Sequence, residues 1–166
     1  METIEEMFEH HLAEMYYVET TLVDALEEMA HDASDDDLAE GFRKHHGETH
    51  EHVRNLESVF RELGHEPEPH RSMILDAMIE ERERFHGETD NAQLRDLYDM
   101  QAGIKTERME ITGYEGMLTL ADKLDYPDEV TDPLEDNLSE ERSTLREMEA
   151  LSKGSKLKGI LGQLLS

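Results

Sequence analysis

Along four long stretches of the chain, apolar residues recur at alternating steps of four and three. In each stretch the apolar line is interrupted near its middle by an acid or an imidazole. The first runs Phe8, Leu12, Met15, Glu19, Leu22, Leu26 and Met29, the spacing of a helix buried along one seam. Thr3 with Glu6 three residues on forms the capping-box pattern that opens it. A polar turn over 32–37 follows, with Ser34 or Asp35 as the next cap; lacking a Gly at its sixth position, it is not an EF-hand loop. The second helix spans 36–63 and stops at Gly64, with Leu38, Phe42, His45, Thr49, His52, Leu56, Val59 and Leu63 on its stripe and Glu48 beside it. The third spans 92–124, capped by Asp90 or Asn91. Its stripe includes Leu97, Met100, Ile104, Glu107, Glu110, Ile111, Tyr114, Leu118 and Ala121, with Ile104, Ile111 and Leu118 marking the buried line. The fourth spans 128–151, with Pro133 as its first turn or a kink, and carries Leu134, Leu138, Glu141, Leu145 and Met148.

Between the second and third helices the pattern changes. HEPEPH over 65–70 cannot continue a helix, because proline removes donors and restricts the residue before it. A short helix over 72–86 follows, closed by GETDN. Long helices separated by such an insert need not be neighbours, which is the crossover connection of some four-helix bundles. The expected architecture is therefore all-α: a four-helix bundle over 1–152 with a short extra helix in the crossover. A separate basic amphipathic tail over 153–166 carries Leu157, Ile160, Leu161, Leu164 and Leu165 at helical spacing and no acid. That tail either folds back onto the bundle or a dimer partner, or serves as a docking peptide for another protein or a membrane surface.

Charge narrows the function classes. Against 42 Asp and Glu stand 16 Lys and Arg, a formal net charge of -26, which strongly disfavours nucleic-acid binding. So much negative charge destabilises a compact chain unless salt screens it, and only six of the 166 residues are Lys; both point to a high-salt cytoplasm, as in a halophile. There is no Cys to supply a disulfide, a thiolate ligand or a nucleophile. The N-terminus METIEEMFEHH does not resemble a signal peptide, and no apolar run is long enough to span a membrane, so a cytoplasmic location is expected.

The candidate chemistry lies in the four interruptions: Glu19; His45, Glu48 and His52; Glu107 with Glu110; and Glu141. Glu107 and Glu110 share a helix face, being three residues apart. A helix rises 1.5 Å per residue, so a break near the middle of each places all of these at a similar height. One buried Glu is explained by an Arg partner and a surface His by solvation, as for His46 and His50. Four breaks in register along apolar seams are better explained by divalent cations. Literal Glu-x-x-His matches, at Glu28/His31, Glu62/His65 and Glu83/His86, fall at helix ends and are read as chance.

The segments AEMYYVETTLVDALEEMA, FRKHHGETHEHVRNLE, IKTERMEITGYEGMLTLADKLDY and LSEERSTLREMEAL resemble the YciE/YciF family of ferritin-like proteins, in order and over about residues 5–151. The resemblance implies a ferritin-like bundle, often dimeric, with a two-metal site and an association with stress response. It matches the family's helix-one Glu to Glu19, its His-x-x-Glu-Thr signature to His45, Glu48 and Thr49, its paired Glu and following Tyr to Glu107, Glu110 and Tyr114, and its final Glu pair to Glu140 and Glu141. Where an Asp is expected near the end of that last motif, this chain has Thr144.

The combined expectation is a non-haem dimetal carboxylate protein, holding two ions of iron, or of manganese or zinc. It would react with oxygen or peroxide in ferroxidase, peroxidase or catalase-like chemistry. Glu19 and Glu141 would be terminal ligands, Glu48 and one of Glu107 or Glu110 would bridge, and His52 would supply the nitrogen ligand; His45 and Glu140 are further candidates. Tyr114 is the candidate catalytic residue, able to hydrogen-bond a ligand or supply an electron. The alternative is a non-enzymatic stress-related scaffold with structural metal or none, recruiting a partner through its tail.

Overall fold

A computed structural model describes residues 2–154. Five helices are present among them: α1 (Ile4–Asp32), α2 (Asp36–Glu62), α3 (Met73–Glu88), α4 (Ala92–Lys123) and α5 (Asp128–Lys153). Local signals set most of their ends. Thr3 and Glu6 form both halves of the capping box of α1. The Asp35 carboxylate accepts from the Asp37 and Leu38 amides, and Asn91 accepts from those of Gln93 and Leu94, so each satisfies otherwise orphaned donors. Gly64 takes a φ of 77° just beyond α2, where a side chain would be strained. Pro133 lies inside α5, which begins earlier, at Asp128.

The three-residue turn after α1 and the short turn after α4 make α1/α2 and α4/α5 antiparallel hairpins. Asp96, near the start of α4, accepts from the backbone amides of Ser34 and Asp35 at 2.9 and 3.0 Å. This fixes the top of α4 at the turn that ends α1. Phe8 and Tyr126 meet edge to face at the other end, with centroids 5.1 Å apart. Around the bundle α1 packs on α2, α2 on α5, α5 on α4 and α4 on α1, so the sequence-expected four-helix bundle with a helix in its crossover is what forms. The crossover carries the chain from the foot of α2 back to the top of α4. On the way, the His70 amide donates to Ala13 O at 2.8 Å, and α3 lies against α4 with Phe85 stacked on Tyr98 at 4.2 Å.

Two apolar clusters form the core, one above and one below a polar layer. Phe8, Leu12, Leu56, Met117 and Leu134 lie in the lower cluster and Leu22, Leu26, Phe42, Leu75 and Met100 in the upper. The α1 and α2 stripes are buried as expected, apart from the half-buried Leu63 at the end of α2. On α4 the seam is rotated: Ile104, Ile111 and Leu118 are only half-buried, while Met100, Gly103, Glu107, Glu110, Tyr114, Met117 and Ala121 face the core. On α5 the buried line is Val130, Leu134, Asn137, Glu141, Thr144 and Met148, with Leu138 beside it and Leu145 half-buried. Both seams keep the alternating steps of three and four, and both pass through polar residues, with Gly103 as well on α4, that an apolar stripe leaves out. Most of the expected tail, from residue 155 on, lies outside the described residues.

Candidate metal centre

The polar layer brings together Glu19 from α1, His45 and His52 from α2, Glu107 and Glu110 from α4, and Glu141 from α5, all between 0% and 4% exposed. Two groups of converging ligand atoms result, one of His45, Glu107, Glu110 and Glu141, the other of Glu19, His52 and Glu141. Glu141 is common to both. His52 Nδ1 stands 2.9 Å from Glu141 Oε1 and 3.5 Å from Glu19 Oε2, and His45 Nε2 stands 3.0 Å from Glu107 Oε1.

Closeness here is not satisfaction. Eight buried polar atoms have no hydrogen bond: both carboxylate oxygens of Glu110 and of Glu141, Oε2 of Glu19 and of Glu107, and Nδ1 of His45 and of His52. His52 Nδ1 and Glu141 Oε1 are among them despite their 2.9 Å separation, because the ring and carboxylate are not aligned for a bond. Among the described residues, the ion pairs of the four carboxylates are with His45 and His52 and with no Lys or Arg.

The electrostatics follow from this crowding. Burial, then the charges of Glu141, Glu19 and Glu107, pushes the Glu110 carboxyl well above the usual carboxylate range. Burial also raises Glu19, and raises Glu141 to about 7. Burial alone would lower the histidines; the carboxylates override it, Glu107 foremost in raising His45 to about 10, and Glu141 and Glu19 in raising His52 to about 11. Without metal, the crowding pushes Glu19, Glu110 and Glu141 toward their neutral forms and His45 and His52 toward their charged forms, the reverse of what ligation requires.

Outer residues orient the inner ones. Glu140, half-exposed, bonds His52 Nε2 at 3.0 Å and leaves Nδ1 turned inward. Glu48 belongs to neither converging group. It lies at the rim, a quarter exposed, with Oε2 3.9 Å from His45 Nδ1 and 3.3 Å from the donating Thr144 hydroxyl, and with Lys44 Nζ 3.2 Å from its other oxygen. The His45 ring, then Lys44, hold the Glu48 carboxyl down to about 2 against the effect of burial. Tyr114, fully buried, donates its hydroxyl to Glu19 Oε1 and accepts from Asn137 Nδ2 at 2.9 Å. Burial, followed by Glu19 and Glu141, raises the phenol well above its ordinary value, so it remains a donor. Asn137 also donates to His52 O at 3.3 Å and accepts from Asn55 at 2.7 Å. Sequence reasoning missed Asn137; its signal was its place one step before Glu141 on the α5 seam.

The Glu-x-x-His matches, read from the sequence as chance, stay outside this layer. Glu28 and His86 instead belong to a second polar cluster, built around the buried Arg82 and Asp99, that was not foreseen. There Arg82 of α3 bonds Asp99 through two nitrogens at 2.9 and 3.0 Å and reaches Glu28 and Asp32 at 3.2 Å, while His86 bonds Asp99 at 2.8 Å. The three acids complement the guanidinium, and this cluster ties α3 to the bundle.

Known proteins share this architecture. Protein YciF of Escherichia coli K12 is 30% identical over 145 residues, 87% of each chain. The crystal structure of the E. coli stress protein YciF superimposes with a TM-score of 0.84 at 29% identity, covering 92% of this chain and 96% of that one. YcfI of Rhodopseudomonas palustris, named as a structural protein, does so with a TM-score of 0.86 at 28% identity, covering 90% and 94%. The profile of DUF892, a domain of unknown function, spans residues 3–160, and the chain accordingly belongs to the DUF892 family as a homologue of YciF.

Proposed function

We propose that the polar layer is a two-metal carboxylate centre, of iron or else manganese or zinc, which reacts with oxygen or peroxide in a stress response. One observation carries this reading: four buried carboxylates lie together with no Lys or Arg partner among the described residues and with most of their oxygens unbonded. Leaving such groups uncompensated costs several kcal/mol per charge, on the order found for buried ions generally. Two divalent ions bring four positive charges to four carboxylates and take up the open lone pairs. A mixed carboxylate and imidazole set suits iron, manganese or zinc.

In this reading Glu141 bridges, since it is the member common to both groups. Glu19 and His52 complete one position, and His45, Glu107 and Glu110 the other. Glu140 acts from outside, holding the His52 ring through its outer nitrogen, as carboxylates commonly do behind a ligating histidine, while Glu48 stands 3.9 Å from the outer nitrogen of His45. Tyr114 and Asn137 fix Glu19 in place. Paired metals, when bound, would supply two-electron exchange with the oxidant. The ferritin-like ancestry, a homodimeric state and a high-salt cytoplasmic setting belong to the same proposal, and the name of the E. coli stress protein supports the stress role.

A second reading draws on the R. palustris relative named as a structural protein. Here the chain is a stress-related scaffold with structural metal or none, recruiting a partner through residues 153–166. Metal analysis of protein purified without chelator, followed by oxygen- and peroxide-consumption measurements, separates the two. The two-metal reading expects about two ions per chain and turnover, both lost in Glu107→Ala plus Glu110→Ala. Absence of transition metal from the intact protein would overturn it; bound metal without turnover would favour the scaffold.

A further inference from the structure

A cavity of about 50 Å³ lies beneath α3, between α1 and α4, and its inner end is formed by His45 and Glu107. Leu22, Leu26, Phe42, Leu75, Ile79 and Met148 make up much of its wall. Thr106 also lines it, but its hydroxyl is turned back onto Ala102 O at 3.0 Å, leaving its methyl group for the cavity. At the outer end stand Glu28, Arg82 and Glu83. Arg82 is already engaged by Asp99, Glu28 and Asp32 and has no guanidinium face set aside for an anion.

Size and polarity together define what fits. A space of about 50 Å³ holds roughly three to five water-sized spheres at about 10–15 Å³ each, so the occupant has only a few heavy atoms. The apolar wall offers no partners to a hydrated ion or to a strongly hydrogen-bonding molecule, which would lose its bonds to water on entering. The carboxylate at the inner end repels anions. An uncharged, apolar diatomic molecule meets all three conditions. The Met148 methyl lies against Gly103, in the place a side chain there would take, and closes that part of the cavity wall.

We infer that this cavity is a binding site for small apolar molecules and the route by which dioxygen, rather than peroxide, reaches the His45–Glu107 side of the centre. The access role rests on the two-metal reading; the binding site does not. α3, held by Arg82 and by Phe85 on Tyr98, forms its roof.

Crystals of the full chain pressurised with xenon test the site, since xenon fills small dry apolar cavities. The wild type should show a xenon atom between Leu22, Ile79 and Met148, and Ala25→Leu on α1 or Ala102→Leu on α4, both lining residues outside the ligand set, should remove it. Thermal melts of both variants verify folding, and two variants on different helices guard against one failing to fold. With ferrous ion loaded anaerobically, both variants should take up the same amount of metal at the same rate as wild type, yet be oxidised by dissolved oxygen at least tenfold more slowly. A wild-type crystal without xenon overturns the binding site. Xenon excluded with oxygen reactivity unchanged overturns the access route, as does a variant whose metal loading slows in parallel, which would make the cavity a metal path. Failure of the wild type to bind metal at all would overturn the two-metal reading and the access role with it, and is told apart by an intact xenon peak.

Discussion

Asn137 of α5 donates to the Tyr114 hydroxyl of α4 at 2.9 Å, and Tyr114 passes its own proton toward Glu19 of α1. Three helices are thereby joined through one buried carboxylate oxygen. Tyr114→Phe keeps the ring volume and removes both bonds, leaving Glu19 Oε1 without a donor in a fully buried site. The expected result is a loss of about 1–3 kcal/mol in denaturant unfolding, the usual cost of stranding a buried polar group, with weakened occupancy of the position held by Glu19 and His52. Urea titration and metal stoichiometry measure the two. Unchanged stability together with lost redox turnover would instead assign Tyr114 a catalytic role.

Glu110 should behave in opposite ways with and without metal. Burial and three neighbouring carboxylates push its carboxyl upward, so in the metal-free protein it is a source of strain at neutral pH. Glu110→Gln is expected to leave the chelator-treated protein as stable as wild type or more so, and to reduce the rise in melting temperature on adding metal. Differential scanning calorimetry with and without ferrous or manganous ion checks both. A variant less stable in chelator and equally stabilised by metal would count against Glu110 as a ligand.

Metal binding should release protons and strengthen as pH rises. In the metal-free protein His45 titrates at about 10 and His52 at about 11, above their ordinary value, so at pH 7 both carry protons whose favourable contacts are complete below about pH 6.5 and fade as pH rises through those values. Glu141, raised to about 7, is half-protonated there and opposes folding increasingly above its ordinary range. Ligation needs neutral imidazoles and ionised carboxyls, so loading the site at pH 7 should expel at least two protons, one from each histidine. Calorimetric titrations in buffers of different ionisation enthalpy give that number. Affinity that is flat between pH 6 and pH 8 would exclude both histidines as ligands.

Arg82 secures α3. Arg82→Met leaves Asp99, 1% exposed, with His86 alone, and should cost about 3–5 kcal/mol, as expected when one partner of a buried pair is removed. Hydrogen exchange should quicken across 73–88 before the four long helices respond. Arg82→Lys should rescue little, because an ammonium cannot reproduce the two-nitrogen contact with Asp99.

Salt should stabilise the protein steeply. With a formal net charge of -26, self-repulsion acts over about 30 Å at 0.01 M salt and only about 3 Å at 1 M. The melting temperature should climb across that range of KCl. Full helicity and an unchanged melt at the lowest salt, by circular dichroism, would remove the argument for a high-salt setting.

The sequence by itself determined the helices, their caps and the four places where charge enters the core. Alternating steps of three and four are a local property of the chain, and Thr3, Asp35 and Asn91 act on amides two or three residues away. It also held the true seams of α4 and α5, through Gly103 and Asn137, but a stripe drawn through apolar residues selected Ile104, Ile111 and Leu118, a neighbouring and half-buried line. Only the tertiary structure decided which carboxylate is shared. From the sequence, Glu48, beside the α2 stripe, is an expected bridge and Glu141, on the α5 stripe, an expected terminal ligand. The rotation of α2 takes Glu48 to the rim beside Lys44, while that of α5 places Glu141 between both groups of ligand atoms. The Arg82–Asp99 cluster and the cavity beneath α3 were equally beyond sequence reasoning, because they depend on where the crossover lays a short helix across two others. Such packing is fixed by contacts between residues far apart in the chain, and these leave no periodic trace along it.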